Sequence, residues 1–257
     1  MKIVVCVKQV PDSAANIFVE DGKVEWGDAP IVINPWDEYA VEAALQLTEK
    51  YGGDVVALSM GGELAKEALK HALAMGCSQA ILISDSELDE VDNAGAAKVL
   101  AAGINKVGEV DMAIFGKQAI DNDTGITPVM TARVLEWPII SLISSVEDVS
   151  DGKIKAKRFM EEGNQIFESK LPAVASIVKD FSEPRYPSFM GIRKASRAEI
   201  PEWTLGELGV EKSANKVIQL GVDNPHVRDI TGEIIEGDTP EEIAATLVSK
   251  IMEEKVL

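Results

Sequence analysis

The sequence predicts an α/β protein whose mostly parallel sheet is covered by helices on both faces. Two observations carry this expectation. Short apolar runs alternate with amphipathic stretches through the first half of the chain, joined by short links, which is the pattern of repeated β-α units. The apolar runs are also near-continuous rather than alternating, as strands buried on both faces must be.

In order, Lys2 to Val7 reads as a buried strand. Asp37 to Tyr51 reads as an amphipathic helix with Tyr39, Val41, Ala44, Leu45 and Leu47 on its apolar side. Asp54 to Ser59 is a strand, Glu63 to Met75 a helix, Gln79 to Ile83 a strand and Val91 to Val107 a helix. Asp111 to Phe115 is a further short strand that ends at Gly116. Thr127 then reads as an N-cap, with Pro128 at the first helical position and Val129 to Leu135 continuing the helix. After Pro138 the pattern turns β-rich. Ile139 to Val149, Lys153 to Phe159, Gln165 to Ser169 and Ala173 to Val178 read as strands, with Asp151-Gly152 and Glu162-Gly163 as turns. EPRYPSFMGIRKASRAEIP, punctuated by Pro184, Pro187, Gly191 and Pro201, reads as a loop followed by an arm. Thr239 to Val256 opens with Thr-Pro-Glu-Glu and repeats apolar residues at helical spacing, so it reads as a capped amphipathic helix.

Composition removes several function classes. The 257 residues suit one large domain, or one with a substantial extension, and an apolar share of 46% is enough to fill a core. A net charge of −18 opposes binding of nucleic acid and of anionic membrane surfaces. The charge is uneven, because basic residues outnumber acidic ones between Lys153 and Arg197. No apolar run approaches the roughly 20 residues of a membrane span, and no signal peptide is recognisable, so the expected location is the cytoplasm. Cys6 and Cys77 lack metal or disulfide spacing, and His71 and His226 stand far apart with no nucleophile motif beside them. No catalytic residue and no metal ligand are expected. The Asp121/Asp123 pair suits acceptance of helix N–H groups as well as it suits Mg²⁺.

Polar chemistry gathers at the predicted strand ends. Between Gly116 and Pro128 stand Gln118, Asp121, Asn122, Asp123, Thr124 and Gly125, ahead of a helix start that attracts anions, most often phosphate. Val7 is followed by Lys8 and Gln9; Asn34-Pro35-Trp36-Asp37 precedes the first helix, where Asp37 is a candidate cap; Met60-Gly61-Gly62 follows the second strand. In a parallel sheet all of these converge on one carboxyl edge, where nucleotides bind. The glycine fingerprint GxGxxG and the P-loop motif are both absent, so the fold is Rossmann-like without either phosphate signature.

These segments carry a resemblance. VCVKQVPD at the start, NPWD at Asn34, LSMG at Leu58, ALAMG at Ala72, GKQAIDND at Gly116, MTARVLEWP at Met130, KLPAV at Lys170 and EPRYPSF at Glu183 together resemble the β subunit of electron transfer flavoproteins. The likeness runs in order from residue 2 to about residue 210, and GKQAID and the stretch from Ala156 to Ser176 are its most characteristic parts. It implies an adenine nucleotide α-hydrolase-like fold over residues 1–195, with a recognition loop at 183–194 and a C-terminal arm and helix at 196–257. It implies a heterodimer with an α subunit that holds most of a redox FAD, while the β subunit holds AMP. By analogy Val7, Asn34, Pro35, Trp36, Asp37, Met60, Gly116, Gln118, Ala119, Ile120, Asp121, Asp123, Thr124, Gly125, Ile126 and Thr127 would line the nucleotide, with its phosphate against Thr124 to Thr127. Phe189, flanked by Tyr186 and Met190, would dock an acyl-CoA dehydrogenase or a similar donor, and electrons would pass on to a quinone reductase or another acceptor.

The chain departs from the mitochondrial-type pattern at Phe159, NPWD and SMG, where that pattern has an acidic residue, NPFC and SCG. KQVPD and the Asp-Asn-Asp-Thr stretch look like bacterial β subunits, some of which hold a second FAD instead of AMP and bifurcate electrons from NADH. SMGGE and TGITPVMTA in turn depart from that group, which favours AMP. A stand-alone ATP-binding module is the alternative from another class; it predicts Gly/Ser phosphate loops that this chain lacks.

Overall fold

The computed structural model describes residues 1–88, 91–211, 215–226 and 232–254, and the chain divides into two compact units, Met1–Val222 and Asp223–Leu257. In the first unit the elements run β1 (Lys2–Cys6), β2 (Gln9–Pro11), β3 (Phe18–Glu20), β4 (Lys23–Glu25), β5 (Ile31–Ile33), α1 (Pro35–Tyr51), β6 (Asp54–Met60) and α2 (Ala65–Met75). They continue with β7 (Gln79–Ile83), α3 (Asn93–Val107), β8 (Met112–Gly116), α4 (Thr127–Leu135), β9 (Ile139–Ser150), β10 (Lys153–Met160), β11 (Gly163–Lys170) and β12 (Ala173–Ile177). α5 (Phe189–Ala195), β13 (Glu202–Trp203) and α6 (Leu205–Leu208) complete the unit. The second unit carries α7 (Pro240–Glu253), whose Thr239 side chain accepts the Glu242 N–H; Lys255 and Val256 of the expected helix lie outside the described residues.

One nine-stranded sheet, ordered β11-β10-β9-β12-β8-β1-β6-β7-β13, organises the first unit. From β9 through β13 in that order neighbouring strands are parallel, and β10 and β11 extend it as an antiparallel ribbon. Side-chain alternation splits the core in two. Ile3, Val5 and Val7 pack with α1 and α2 on one face, while Val4 and Cys6 pack with α3 and α4 on the other. The expected α/β fold, with helices on both faces, is therefore present. β6 and β7 lie to one side of β1, and α3 then carries the chain back to β8 on the other side. The order of strands reverses between β1 and β8, and a crevice opens at that switch point.

Three local expectations change. Thr127 is the first residue of α4 and not its N-cap: Ile126 holds the cap position with helical torsions and no side-chain bond. Pro128 has no N–H to be capped, and the first helical bond, 3.0 Å from the Met130 N–H to the Ile126 carbonyl, forms without help. Asp37 does not cap α1, because the helix already begins at Pro35 and the Asp37 carboxylate turns toward the end of β1. The stretch expected as loop and arm contains α5, with Ser188 accepting the Gly191 N–H at 2.9 Å. Seven residues are too few for a 3.6-residue period to show in the sequence. The same limit hides the three-residue strands of the β2–β5 and β3–β4 pairs. Among the described residues no helix is long and apolar enough to cross a membrane.

Candidate functional site

A cavity of about 230 Å³ occupies the switch-point crevice. Three strand ends form its floor: Cys6 to Lys8 after β1, Met60 ending β6, and Phe115-Gly116 ending β8. Its wall is the loop that follows β8, with Thr127 and Pro128 at the start of α4.

Two buried polar residues at the start of α1 assemble these segments. Asn34 is 1% exposed. Its backbone N–H donates to the Lys8 carbonyl at 2.8 Å, its side-chain amide donates to the Gln118 carbonyl at 2.8 Å, and its side-chain oxygen accepts the Ile120 N–H at 3.2 Å. Asp37 accepts the Lys8 N–H at 2.8 Å. Burial pushes the Asp37 carboxyl up to about 7, against hydrogen bonds from Lys8, Asn34 and Gly116 and the Lys8 charge, all of which favour the carboxylate. Gly116 is compulsory here: a Cβ would lie 2.4 Å from Asp37 Oδ1 and 2.7 Å from the Trp36 carbonyl carbon. Asn34→Ala leaves the Gln118 carbonyl and the Ile120 N–H without these partners, and each buried orphan costs about 1–3 kcal/mol. The expected result is a lower unfolding midpoint, read by thermal unfolding.

The loop is internally braced. Gln118 Nε2 donates to Asp123 Oδ1 at 2.7 Å, and Asp123 has a φ of 50°, a conformation that Asp tolerates better than most residues. Lys8 Nζ meets Asp121 Oδ2 at 2.5 Å across the rim. The Thr127 and Val129 N–H groups belong to the first turn of α4, which has no intrahelical acceptors for them, so an anion in the crevice is stabilised there. Among the described lining residues Lys8 is the one cation and Asp37 the one carboxylate. The burial that raises Asp37 also drives the Cys6 thiol well above its usual range, with Asp37 adding to the effect. The described lining offers a ligand carboxamides, backbone groups and one lysine. Among the described residues no cluster suited to a metal ion exists.

Of the residues singled out in the sequence, Val7, Asn34, Asp37, Met60, Gly116, Gln118, Ala119, Thr124, Gly125 and Thr127 line the cavity. Pro35, Trp36, Ile120, Asp121, Asp123 and Ile126 stand behind or beside the lining. Pro35 opens α1, Lys117 Nζ sits 5.2 Å from the Trp36 ring centre, Ile120, Asp121 and Asp123 brace the loop as above, and Ile126 precedes α4. Tyr186, Phe189 and Met190 belong to a different surface, at α5, and are 96%, 81% and 68% exposed. The sequence reading missed one wall altogether: Val91, Asn93, Ala96 and Leu100 at the start of α3. Their spacing is that of any amphipathic helix, and only the crossover beside β1 brings them to the crevice. Lys8 and Asn122 were visible as polar strand-end residues, but nothing local marked them as lining.

The family profile described as "Electron transfer flavoprotein domain" matches residues 27–208 of this chain. The caffeyl-CoA reductase-Etf complex subunit CarD of Acetobacterium woodii is 34% identical, over 100% of both chains. The electron transfer flavoprotein subunit beta of Bacillus subtilis is 35% identical over 99% of this chain and 98% of its own. The subunit of the same name from Clostridium acetobutylicum is 36% identical over 99% of each.

Proposed function

The chain belongs to the electron transfer flavoprotein family, as a β subunit, and on that premise we propose that it pairs with an α subunit, helps enclose its FAD, and holds AMP in the switch-point cavity. The departures of SMGGE and TGITPVMTA from the pattern of second-FAD subunits favour AMP, and the cavity of about 230 Å³ supplies a place for the adenine nucleotide. The AMP phosphate would rest at Thr124 to Thr127 and the α4 start. Asn34 and Asp37 would fix the loop around it, and Lys8, held by Asp121, would supply positive charge at the rim. The FAD, when bound, supplies the electron-carrying chemistry. This chain excludes solvent, orients and docks. In the cytoplasm the complex would take electrons from an acyl-CoA dehydrogenase or similar donor and pass them to a quinone reductase or other acceptor.

The decisive measurement is nucleotide extraction from the purified heterodimer. About one FAD and one AMP are expected per heterodimer. Two FAD and no AMP would replace this with the second reading, an NADH-oxidising, electron-bifurcating complex, which the KQVPD and Asp-Asn-Asp-Thr segments favour.

For docking, Phe189 with Tyr186 and Met190 presents an apolar patch of the kind that anchors small, transient redox interfaces. Phe189→Ala is expected to remove a hot spot of about 2 kcal/mol, weakening the encounter with the dehydrogenase more than tenfold at unchanged FAD content. Loss of flavin would instead assign Phe189 to the architecture of the subunit.

A further inference from the structure

The exposed side chains at Tyr186, Phe189 and Met190 sit on a segment too short to hold its own shape. Two clasps hold it. The first is on α1, where Glu42, Gln46 and Glu49 form one stripe at i, i+4 and i+7. Glu42 is 4% exposed, and burial alone would raise its carboxyl. Arg185 and Gln46 reverse that and bring it below the usual carboxylate range. The Arg185 backbone N–H donates to Glu42 Oε2 at 3.1 Å, Nε donates to the same oxygen at 2.7 Å, and Nη2 donates to Glu42 Oε1 at 3.1 Å. Nη1 and Nη2 also reach Glu49 at 2.6 and 3.1 Å, and this double pairing raises the guanidinium further above its already high range. Gln46 completes the clasp, donating to Glu42 at 2.8 Å and to Ser182 at 2.9 Å. The second clasp is on α2: Gly191 lies so close that a Cβ would be 2.3 Å from the Ala74 carbonyl oxygen.

We propose that Arg185 is a positioning residue for electron-transfer docking: by bridging Glu42 and Glu49 it fixes one end of the 186–190 segment and so presents Phe189 in a binding-competent pose. This rests on the reading of Phe189 as the docking side chain. The fork geometry matters, because the guanidinium satisfies two carboxylates at once and a lysine ammonium, as a point charge, does not. A segment ordered in advance loses less freedom when the partner arrives, so the contribution falls on binding and not on the electron-transfer step.

The test uses the purified heterodimer, with an acyl-CoA dehydrogenase reduced by its acyl-CoA as donor. Arg185→Ala is expected to raise KM for the flavoprotein about tenfold, the scale of losing one or two pre-ordered side chains, with kcat and FAD content kept. Amide hydrogen exchange across residues 186–190 should quicken, and Arg185→Lys should restore part of the loss. The Arg185→Ala/Phe189→Ala pair should be no worse than Phe189→Ala alone, since both act on one contact. Unchanged KM despite faster exchange, or losses that add, would overturn the proposal while leaving the docking reading intact. No effect of Phe189→Ala would remove both. Arg185→Ala strands a buried carboxylate. If that complex fails to assemble, Arg185→Lys and Glu49→Gln, which both leave a cation beside Glu42, carry the test, and an unchanged KM in both refutes it.

Discussion

Gly116→Ala is expected to distort the switch-point crevice and to destabilise the subunit by about 1–3 kcal/mol or more, the range for overpacked interiors. The new Cβ would meet Asp37 Oδ1 at 2.4 Å and the Trp36 carbonyl carbon and oxygen at 2.7 and 2.8 Å. The last two are backbone atoms at the start of α1, so no rotamer change relieves the contact. Relief requires β8 and α1 to separate, and that separation breaks the hydrogen bonds by which Asp37 joins Gly116 to Lys8. If the crevice holds the proposed AMP, nucleotide extraction should return little of it from the variant complex, and thermal unfolding should show a lower midpoint. Retention of wild-type AMP content would mean that the crevice is not the nucleotide site.

Asp37→Asn should change how stability depends on pH. The folded carboxyl titrates near 7, well above its ordinary value of 3.8, so between those limits the folded protein keeps a proton that the unfolded chain releases. Stability from this group therefore falls as pH rises from about 4 to about 7 and is level above that. At about 1.4 kcal/mol for each pKa unit, the penalty at neutral pH is on the order of a few kcal/mol. The amide removes the titration. Against that it substitutes an NH₂ for one oxygen among N–H donors, at a cost that does not vary with pH. Denaturation midpoints of wild type minus variant, taken from pH 4.5 to 8.5, should decline with pH and then flatten. A difference constant over that range would show that Asp37 is ionised throughout. Paired carboxylates such as Glu42 and Glu49, shifted the other way, contribute equally to both proteins and cancel.

The sequence carried the α/β layering because buried parallel strands are apolar throughout and their helices are not. It also carried the loop after β8, whose density of Gln, Asp, Asn and Thr exceeds what a connector needs. Residue roles inside that loop were less legible. Asp121 and Asp123 read as ligand contacts, and the sequence did not show that they also pair with Lys8 and Gln118 and brace the loop. Asp37 read as a helix cap and is instead the buried joint between strand ends. A carboxylate at a helix start looks the same in sequence in either role; what differs is which backbone N–H the fold brings against it.

By itself, then, the sequence determined the class of fold, the edge of the sheet where the cavity opens, and the loops that meet there. These follow from periodicity and local turn chemistry, which act over a few residues. Only the tertiary structure decided the α3 wall of the cavity, the necessity of Gly116, and the clasp of Arg185 on Glu42 and Glu49. Each of these joins residues remote in the chain, Arg185 and Glu42 being 143 positions apart. Such contacts arise where separate elements pack against one another, and no local pattern along the chain encodes them.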